Sequence, residues 1–299
     1  MTLAPRVVLV HRRSEYEELL ARHGSRGQAA FFLESRGRSL VDVELRHHRT
    51  RDALAEVAGA VPLDWRSARV ERGDLDRFLF TPEDVVVVVG QDGLVANTAK
   101  YLAGQPVVGI DTEPGRNPGV LVRHGAAQAR RLLRAAVGPG AGSRLEERTM
   151  VEAVADDGQR LLALNEVYLG RSGHGTARYR IHLPGGAAES QASSGVLVGT
   201  GTGATGWCRS LWLERGKPIR LPEPAGAGVA WFVREAWPSP VTGTDHVQGL
   251  LGGAERLAVT VESDRLVVFG DGMEADALEL TWGQRLTVGA AGERLRLLA

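Results

Sequence analysis

Five consecutive valines, Val85–Val89, constrain this chain more than any other feature. A continuous apolar run bounded by turn signals marks a parallel strand covered on both faces. The run stops at Gly90-Gln91-Asp92-Gly93. In open parallel sheets, ligands bind beyond the carboxyl ends of the strands, where strand order reverses. Glycines at such an end let backbone approach a ligand, and a following helix adds its N-terminal dipole. Asp92 is therefore a general base, an acceptor for a sugar hydroxyl or bound to Mg²⁺, or else one residue of a common D-G turn.

The surroundings of the valine run alternate strand and helix patterns. "RVVLV" (Arg6–Val10) reads as a strand. "SEYEELLARHG" follows as a helix, with Ser14 as N-cap, Glu17 three residues on, and Gly24 as its stop. "AAFFLESRG" continues that helical stretch. "SLVDVELRHH" reads as a second strand, from its partial alternation. "TRDALAEVAGAV" reads as a helix, and "LDWRSARVERGDLDRFLFTPED" as a polar connector with a short helix. After the valines come a helix at "GLVANTAKYLA", a strand at "PVVGID" and an amphipathic helix, "AAQARRLLRAAVG", closed by Gly138. This alternation predicts an open, mostly parallel α/β sheet.

Beyond the Gly/Pro-rich stretch at Gly138–Ser143 the helical pattern nearly disappears. "RTMVEAVADDGQRLLALNEVYLGR" reads as a hairpin turning at "DDGQ". Seven further β-rich pieces follow, separated by Gly, Pro or Asp. The expectation is an α/β domain over 1–140 and an all-β, sandwich-like domain over 141–299.

Composition narrows the function classes. The 299 residues carry 36 basic and 36 acidic side chains, so no global field draws the chain to nucleic acid or to a membrane surface. Apolar runs are strand-length, and "MTLAPRVVLVHRR" is too short in its apolar part for a signal peptide, which makes the cytoplasm the expected compartment. Cys208 is the single cysteine. The histidines are scattered and form no metal-binding spacing, so no protein-only metal site is expected. There is neither a G-K-[ST] phosphate loop nor G-x-G-x-x-G nor G-x-S-x-G. Only Lys100 and Lys217 among the basic residues are lysines.

Two other clusters can carry chemistry. "GTGTGATGWCRS" (Gly199–Ser210) sets threonines and glycines after a strand and ends on an aromatic. Its backbone and hydroxyls can hydrogen-bond phosphate or ribose, and Trp207 can stack on a base. The alternative is an ordinary loop with a core tryptophan. In "ALNEVYL" (Ala163–Leu169), Asn165 and Glu166 interrupt an apolar stretch, and a buried Asn-Glu pair needs partners from a ligand or from backbone.

Taken in order, "GQDGL", "PVVGID", "ALNEVYLG" and "TGTGATGW" resemble the NAD kinase family, with its G-G-D-G-T loop, P-V-x-G-[IV]-[ND] strand, A-L-N-E-[VA] strand and T-P-T-G-S-T-A-Y-like loop. "DTEPGRNPG" (Asp111–Gly119), "SSGVLVGTGTGATGW" (Ser193–Trp207) and "VREA" (Val233–Ala236) are most similar to the mitochondrial-type branch found in animals. The likeness runs from Val85 to the C-terminus.

That resemblance implies an α/β domain and a β domain with the active site in the cleft between them, the C-terminal segment packing back on the first. It implies transfer of the γ-phosphoryl of ATP, carried with Mg²⁺, to the 2′-hydroxyl of the adenosine ribose of NAD. Asp92 matches the acid taken as base or orienter of that hydroxyl. Gly90, Gln91 and Gly93 surround it, and Asp111 stands at the asparagine of the next motif. Asn165 and Glu166 match the pair that engages the dinucleotide. Thr200, Thr202, Gly203, Thr205, Gly206, Trp207 and Ser210 fall on or beside the substrate loop, and Asp271 begins a late D-G pair with Gly272. The implied partners are NAD(H), ATP and a second copy of the chain, with neither nucleic acid nor membrane.

Departures accompany the likeness. Gln91 replaces a glycine, so it must either strain the turn or re-form it. Leu94 replaces a threonine and removes a hydroxyl. Two other readings stay open: a kinase of the same superfamily with a changed acceptor or donor, and a catalytically weak dinucleotide-binding sensor.

Overall fold

The computed structural model describes residues 4–116, 119–173, 175–217 and 219–299. The motif at Asp111–Gly119 thus includes two residues, Asn117 and Pro118, that lie outside the described ones. The chain forms two compact units: residues 1–98, 104–146 and 296–299, and residues 99–103 with 147–295.

The first unit begins with β1 (Arg6–His11) and α1 (Glu15–His23). Ser14 caps α1 as its composition predicts: its hydroxyl accepts the Glu17 N–H, while the Glu17 carboxylate accepts the Ser14 N–H. Gly24 ends the helix in the left-handed region, φ 75°. A separate helix follows, α2 (Arg26–Glu34).

The stretch "SLVDVELRHH" is not a strand. It opens α3 (Leu40–Ala60), a single 21-residue helix capped by Ser39. The alternation Val41-Val43-Leu45 imitates a strand, but only Val43 of the three is buried, together with Leu40 three residues earlier. Helical spacing, not alternation, decides which side chains reach the core.

The connector after α3 also differs from expectation, since it holds β2 (Arg66–Glu71) before a 3₁₀ turn at Arg72–Arg77. Of β2 only Val70 is buried. An edge strand this polar leaves no apolar pattern to read.

β3 (Asp84–Gly90) is buried at every residue. Val85, Val87 and Val89 share a core cluster with Val57 of α3, whereas Val86 and Val88 point to the opposite face and are equally buried. Burial of each valine contributes on the order of 2 kcal/mol. α4 (Asp92–Ala99), β4 (Pro106–Asp111) and α5 (Ala129–Val137) complete the alternation. The sheet order is β2-β1-β3-β4, all parallel. Arg296 and Leu297 add parallel pairs to Pro106 and Val107.

The second unit is antiparallel. β5 (Leu145–Ala155) and β6 (Arg160–Ala163) form the expected hairpin. β7 (Glu166–Gly170), β8 (Ala177–His182), β9 (Ala188–Ser193) and β10 (Gly195–Gly199) follow. Then comes an unexpected helix, α6 (Trp207–Glu214). β11 (Val229–Arg234), β12 (Gln248–Leu251), β13 (Arg256–Val261), β14 (Arg265–Gly270), β15 (Met273–Thr281) and β16 (Arg285–Leu298) finish the chain.

One set of strands runs β16-β13-β8-β9, with β5 on β16. The other runs β12-β11-β10-β7-β14-β15. Val151, Ile181, Val259 and Leu286 from the first set share one core with Val167, Val198, Val233 and Val268 from the second. That core makes the unit a β-sandwich. Among the described residues no helix is long and apolar enough to cross a membrane.

Candidate functional site

In the first unit, the chain leaves β3 at Gly90, and Asp92 is the first residue of α4. A carboxylate there sits at the favourable end of the helix dipole. Its oxygens are occupied by backbone: Val120 N–H donates at 2.8 Å, and Leu121 and Val122 N–H each donate at 2.9 Å. An ionised carboxylate offers about four lone-pair sites, so roughly one acceptor position remains.

The segment Asp92 holds lies directly over β4. A Cβ on Gly109 would collide with the Leu121 carbonyl, which is why "PVVGID" has a glycine in the middle of a strand.

Gln91 re-forms the turn without strain. Among the described non-glycine residues only Lys217, Glu235 and Asp271 have positive φ. The Gln91 carbonyl accepts the Leu94 N–H at 2.9 Å, and its side-chain amide donates to Glu113 at 3.3 Å. Leu94 is 3 % exposed, and its methyl lies 3.3 Å from where a Gly90 Cβ would stand. The residue that replaces the family threonine is therefore a core side chain. Gly93 is exposed. Asp111 turns its carboxylate on its own loop and accepts the Glu113 N–H at 2.8 Å. Glu113 thus ties the Asp111 loop to Gln91.

In the second unit, Asn165 and Glu166 make the tight passage from β6 to β7. Asp271 clamps it. Its carboxylate accepts the N–H groups of Leu164 at 2.8 Å, Asn165 at 2.7 Å and Glu166 at 3.4 Å, and its own N–H donates to the Glu166 carbonyl at 3.1 Å. Asp271 reaches this position from a left-handed φ of 53°, a conformation aspartate tolerates better than most residues.

Thr200 holds the passage from the other side. Its hydroxyl donates to the Leu164 carbonyl at 2.6 Å, and its N–H donates to the Asn165 carbonyl at 2.9 Å. The same hydroxyl accepts the N–H groups of Thr202 and Gly203. Gly203 is required because a Cβ there would strike the Asn165 carbonyl. Asn165, Glu166, Thr200, Thr202, Gly203 and Asp271 thus form one cluster.

The electrostatics of this cluster are unusual. Burial, and then the Asp271 charge, push the Glu166 carboxyl up from 4.5 to about 8. Burial pushes Asp271 up to about 6, although backbone N–H groups and the Lys100 charge pull it down. Lys100, almost fully buried, pairs with Asp276 at 2.7 Å, and the Tyr101 hydroxyl donates to the same oxygen at 2.8 Å. The Thr202 hydroxyl is buried without a partner among the described residues. No hydrogen bond from the Asn165 amide or to the Glu166 carboxyl forms within the described residues either. The buried Thr202 hydroxyl is thus left for something else to satisfy, and the half-buried Asn165 and Glu166 side chains belong to the same cluster.

The rest of the Gly199–Ser210 stretch behaves differently. Thr205, Gly206 and Ser210 are exposed. Trp207 starts α6, stacks on Tyr168 at 5.3 Å and 24°, and has the Arg234 guanidinium 5.3 Å from its ring. It belongs to a cluster with Cys208, Leu211 and Phe232.

Sequence reading passed over Lys100, whose signal was its rarity in a chain of arginines, and Arg46 and His47, hidden in the stretch read as a strand. Among the described residues no group of His, Cys, Asp and Glu is arranged to hold a metal ion.

No family model matches the chain. An NAD kinase of Caldicellulosiruptor saccharolyticus is 26 % identical over 249 residues, which cover 83 % of this chain and 86 % of that one. NAD kinases of Burkholderia pseudomallei and Burkholderia cenocepacia are 35 % identical over 151 residues and 31 % over 156. The chain spans about half the length of these Burkholderia relatives, 47 % of each. Among solved structures, an NAD kinase from Archaeoglobus fulgidus in complex with ATP matches with a TM-score of 0.59 at 16 % identity, over 98 % of this chain and 93 % of that one. The parallel α/β unit and the antiparallel β unit are those of that fold. In sequence the chain is similar to NAD kinases, and its fold is the one that the Archaeoglobus NAD kinase has.

Proposed function

We propose that the chain is an NAD kinase: it transfers the terminal phosphoryl group of ATP to the 2′-hydroxyl of the adenosine ribose of NAD, giving NADP and ADP. The observation that carries this reading is the cluster at Asn165, Glu166 and Thr202. A half-buried carboxyl and amide beside a buried hydroxyl without an internal partner suit a ligand rich in hydroxyl groups, which a ribose is. Asp271 and Thr200 fix the backbone that presents them. Relatives that are NAD kinases support the same acceptor.

In the transfer, the ribose oxygen forms a bond to the γ-phosphorus as the bond to the β–γ bridging oxygen breaks. The hydroxyl proton passes to a carboxylate or to water. Phosphoryl transfer depends on positioning and charge neutralisation more than on covalent chemistry by the protein. Mg²⁺ comes with the donor as part of that substrate and offsets phosphate charge. Asp92, with three of its acceptor positions taken by backbone, is assigned to orienting the donor side of the reaction through the turn it fixes and the one position left open.

Gln91 and Leu94 favour a specific variation. Both fit their places without strain, so they read as adaptations of the donor contact, not as damage. The test is direct: purified protein with NAD, Mg²⁺ and ATP, with NADP read by a coupled dehydrogenase. NADP above blank is expected. Calorimetric binding of NAD with no NADP formed overturns the reading and leaves a kinase with another donor or acceptor, or a binding protein.

A further inference from the structure

Lys100 follows directly on α4 and packs within the second unit. Its side chain is 2 % exposed, and its ammonium lies 2.7 Å from the Asp276 carboxylate. Buried charges are tolerated in such pairs. The Tyr101 hydroxyl donates to the same Asp276 oxygen at 2.8 Å. The other Asp276 oxygen is buried without a partner among the described residues.

Asp276 is on β15, the arm that leaves the Asp271-Gly272 turn, and Gly270 and Met273 pair across that turn. Lys100 and Tyr101 therefore hold the hairpin that carries the Asp271 clamp. A lysine suits this place. Its ammonium is a compact point charge on a flexible stem, where an arginine brings a planar fork with five donors. The other lysine, Lys217, is exposed.

Charge gives Lys100 a second effect on the clamp. Asp271 accepts three backbone N–H groups, and an ionised carboxylate does this best, because both of its oxygens only accept. Burial works against that charge, and the Lys100 ammonium works for it. Titratable groups reach this end of the unit from four elements. Glu166 starts β7, Asp276 is on β15, Cys208 is on α6, and Lys100 and Tyr101 follow α4. Of these five, Lys100 is the cation.

We infer that Lys100 is a positioning residue of the Asn165–Glu166 turn and acts through Asp271. It fixes the hairpin arm beside the clamp, and it balances the charge with which Asp271 grips the Leu164, Asn165 and Glu166 N–H groups. Lys100 itself touches none of these three. The grip stands without the kinase reading; that the turn then meets the ribose of NAD rests on that reading.

Carbon-13 NMR of the aspartate carboxyls in the ligand-free full chain tests the inference, with Lys100→Met, Lys100→Arg and Asp276→Asn. Lys100→Met and Asp276→Asn break the same ion pair, but they change the charge near Asp271 in opposite senses. Lys100→Met is expected to raise the Asp271 titration midpoint by about one pH unit. Amide exchange at Asn165 and Glu166 should quicken with it. Lys100→Arg should recover most of the midpoint, because it keeps the charge. Asp276→Asn should leave the midpoint at or below that of wild type. A midpoint that Lys100→Met leaves in place overturns the inference. So does an equal rise in Lys100→Met and Asp276→Asn, which marks the pair as packing alone. If Lys100→Met does not fold, Asp276→Asn still decides: a raised midpoint overturns the inference, and an unchanged or lowered one supports it. NAD affinity is measured separately by calorimetry and is expected to fall about tenfold in Lys100→Met. A raised midpoint with unchanged NAD affinity keeps the positioning role and removes the ribose reading of the cluster.

Discussion

Glu166→Gln removes a titrating proton while keeping shape and polarity. In the folded chain the carboxyl is raised from 4.5 to about 8, first by burial and then by Asp271. The folded state therefore keeps a proton that the unfolded chain releases. For a raised carboxyl the sign is fixed: no penalty below about pH 4.5, a growing one through the window, and the full one above about pH 8. At about 1.4 kcal/mol per pH unit the limiting penalty is about 5 kcal/mol. Water reaching the open edge of the side chain and relaxation of the Asn165–Glu166 turn reduce it to about 1–3 kcal/mol. Glutamine carries no charge at any pH, so the variant escapes this penalty. Urea unfolding of both proteins at pH 5, 7 and 9 measures it. The stability difference should move in favour of the variant by about 1–3 kcal/mol between pH 5 and 9. Parallel pH profiles would refute the assignment, because they would mean that Glu166 titrates normally in the folded state.

Asp92→Asn leaves at least one of three backbone donors without its acceptor, at a cost of about 1–3 kcal/mol. Amide exchange at Val120, Leu121 and Val122 should quicken while NAD binding persists and turnover falls by about 10²-fold, as the turn that positions the donor loosens; unchanged exchange would remove the anchoring role. Gly109→Ala drives a methyl into the Leu121 carbonyl and should cost about 1–3 kcal/mol by denaturant unfolding, whereas a neutral result would mean that the segment moves aside freely. Leu94→Thr buries a hydroxyl where a methyl packs and should cost about 1–3 kcal/mol. Combined with Gln91→Gly it is expected to leave turnover with ATP no higher than wild type, and a rise would show that the two native residues are defects.

The elements read correctly from sequence are those whose determinants are local or redundant. The capping box at Ser14 and Glu17 lies within one turn of helix, and Gly24 ends that helix by its own φ. The five valines need no neighbour to declare themselves, since such a run is stable only as a strand covered on both faces. The order of the Asp92, Asn165-Glu166 and Gly199–Trp207 motifs carried the family likeness, and the fold match agrees with it.

What failed did so where burial is settled by distant partners. Val41, Val43 and Leu45 fit both a strand and a helix, and only the packing of Val43 with Leu19, Leu33 and Leu40 chooses between them. β2 is an edge strand with one buried side chain, and its identity comes from pairing with β1. α6 hides behind glycines because only Cys208 and Leu211 of its eight residues are buried.

By itself the sequence determined the two-part architecture, the buried strand that delivers Asp92, and the residues able to carry chemistry. Tertiary structure alone decided how those residues are used. It spent Asp92 on three backbone N–H groups 28 to 30 residues away, and turned Asp271 from a late D-G pair into the clamp of Asn165 and Glu166. It left Gln91 unstrained and bonded to Glu113. The physical reason is common to all three. A side chain's chemistry is local, but its hydrogen-bond partners and its exposure to water are supplied by segments far away in sequence, and those set what the chemistry is free to do.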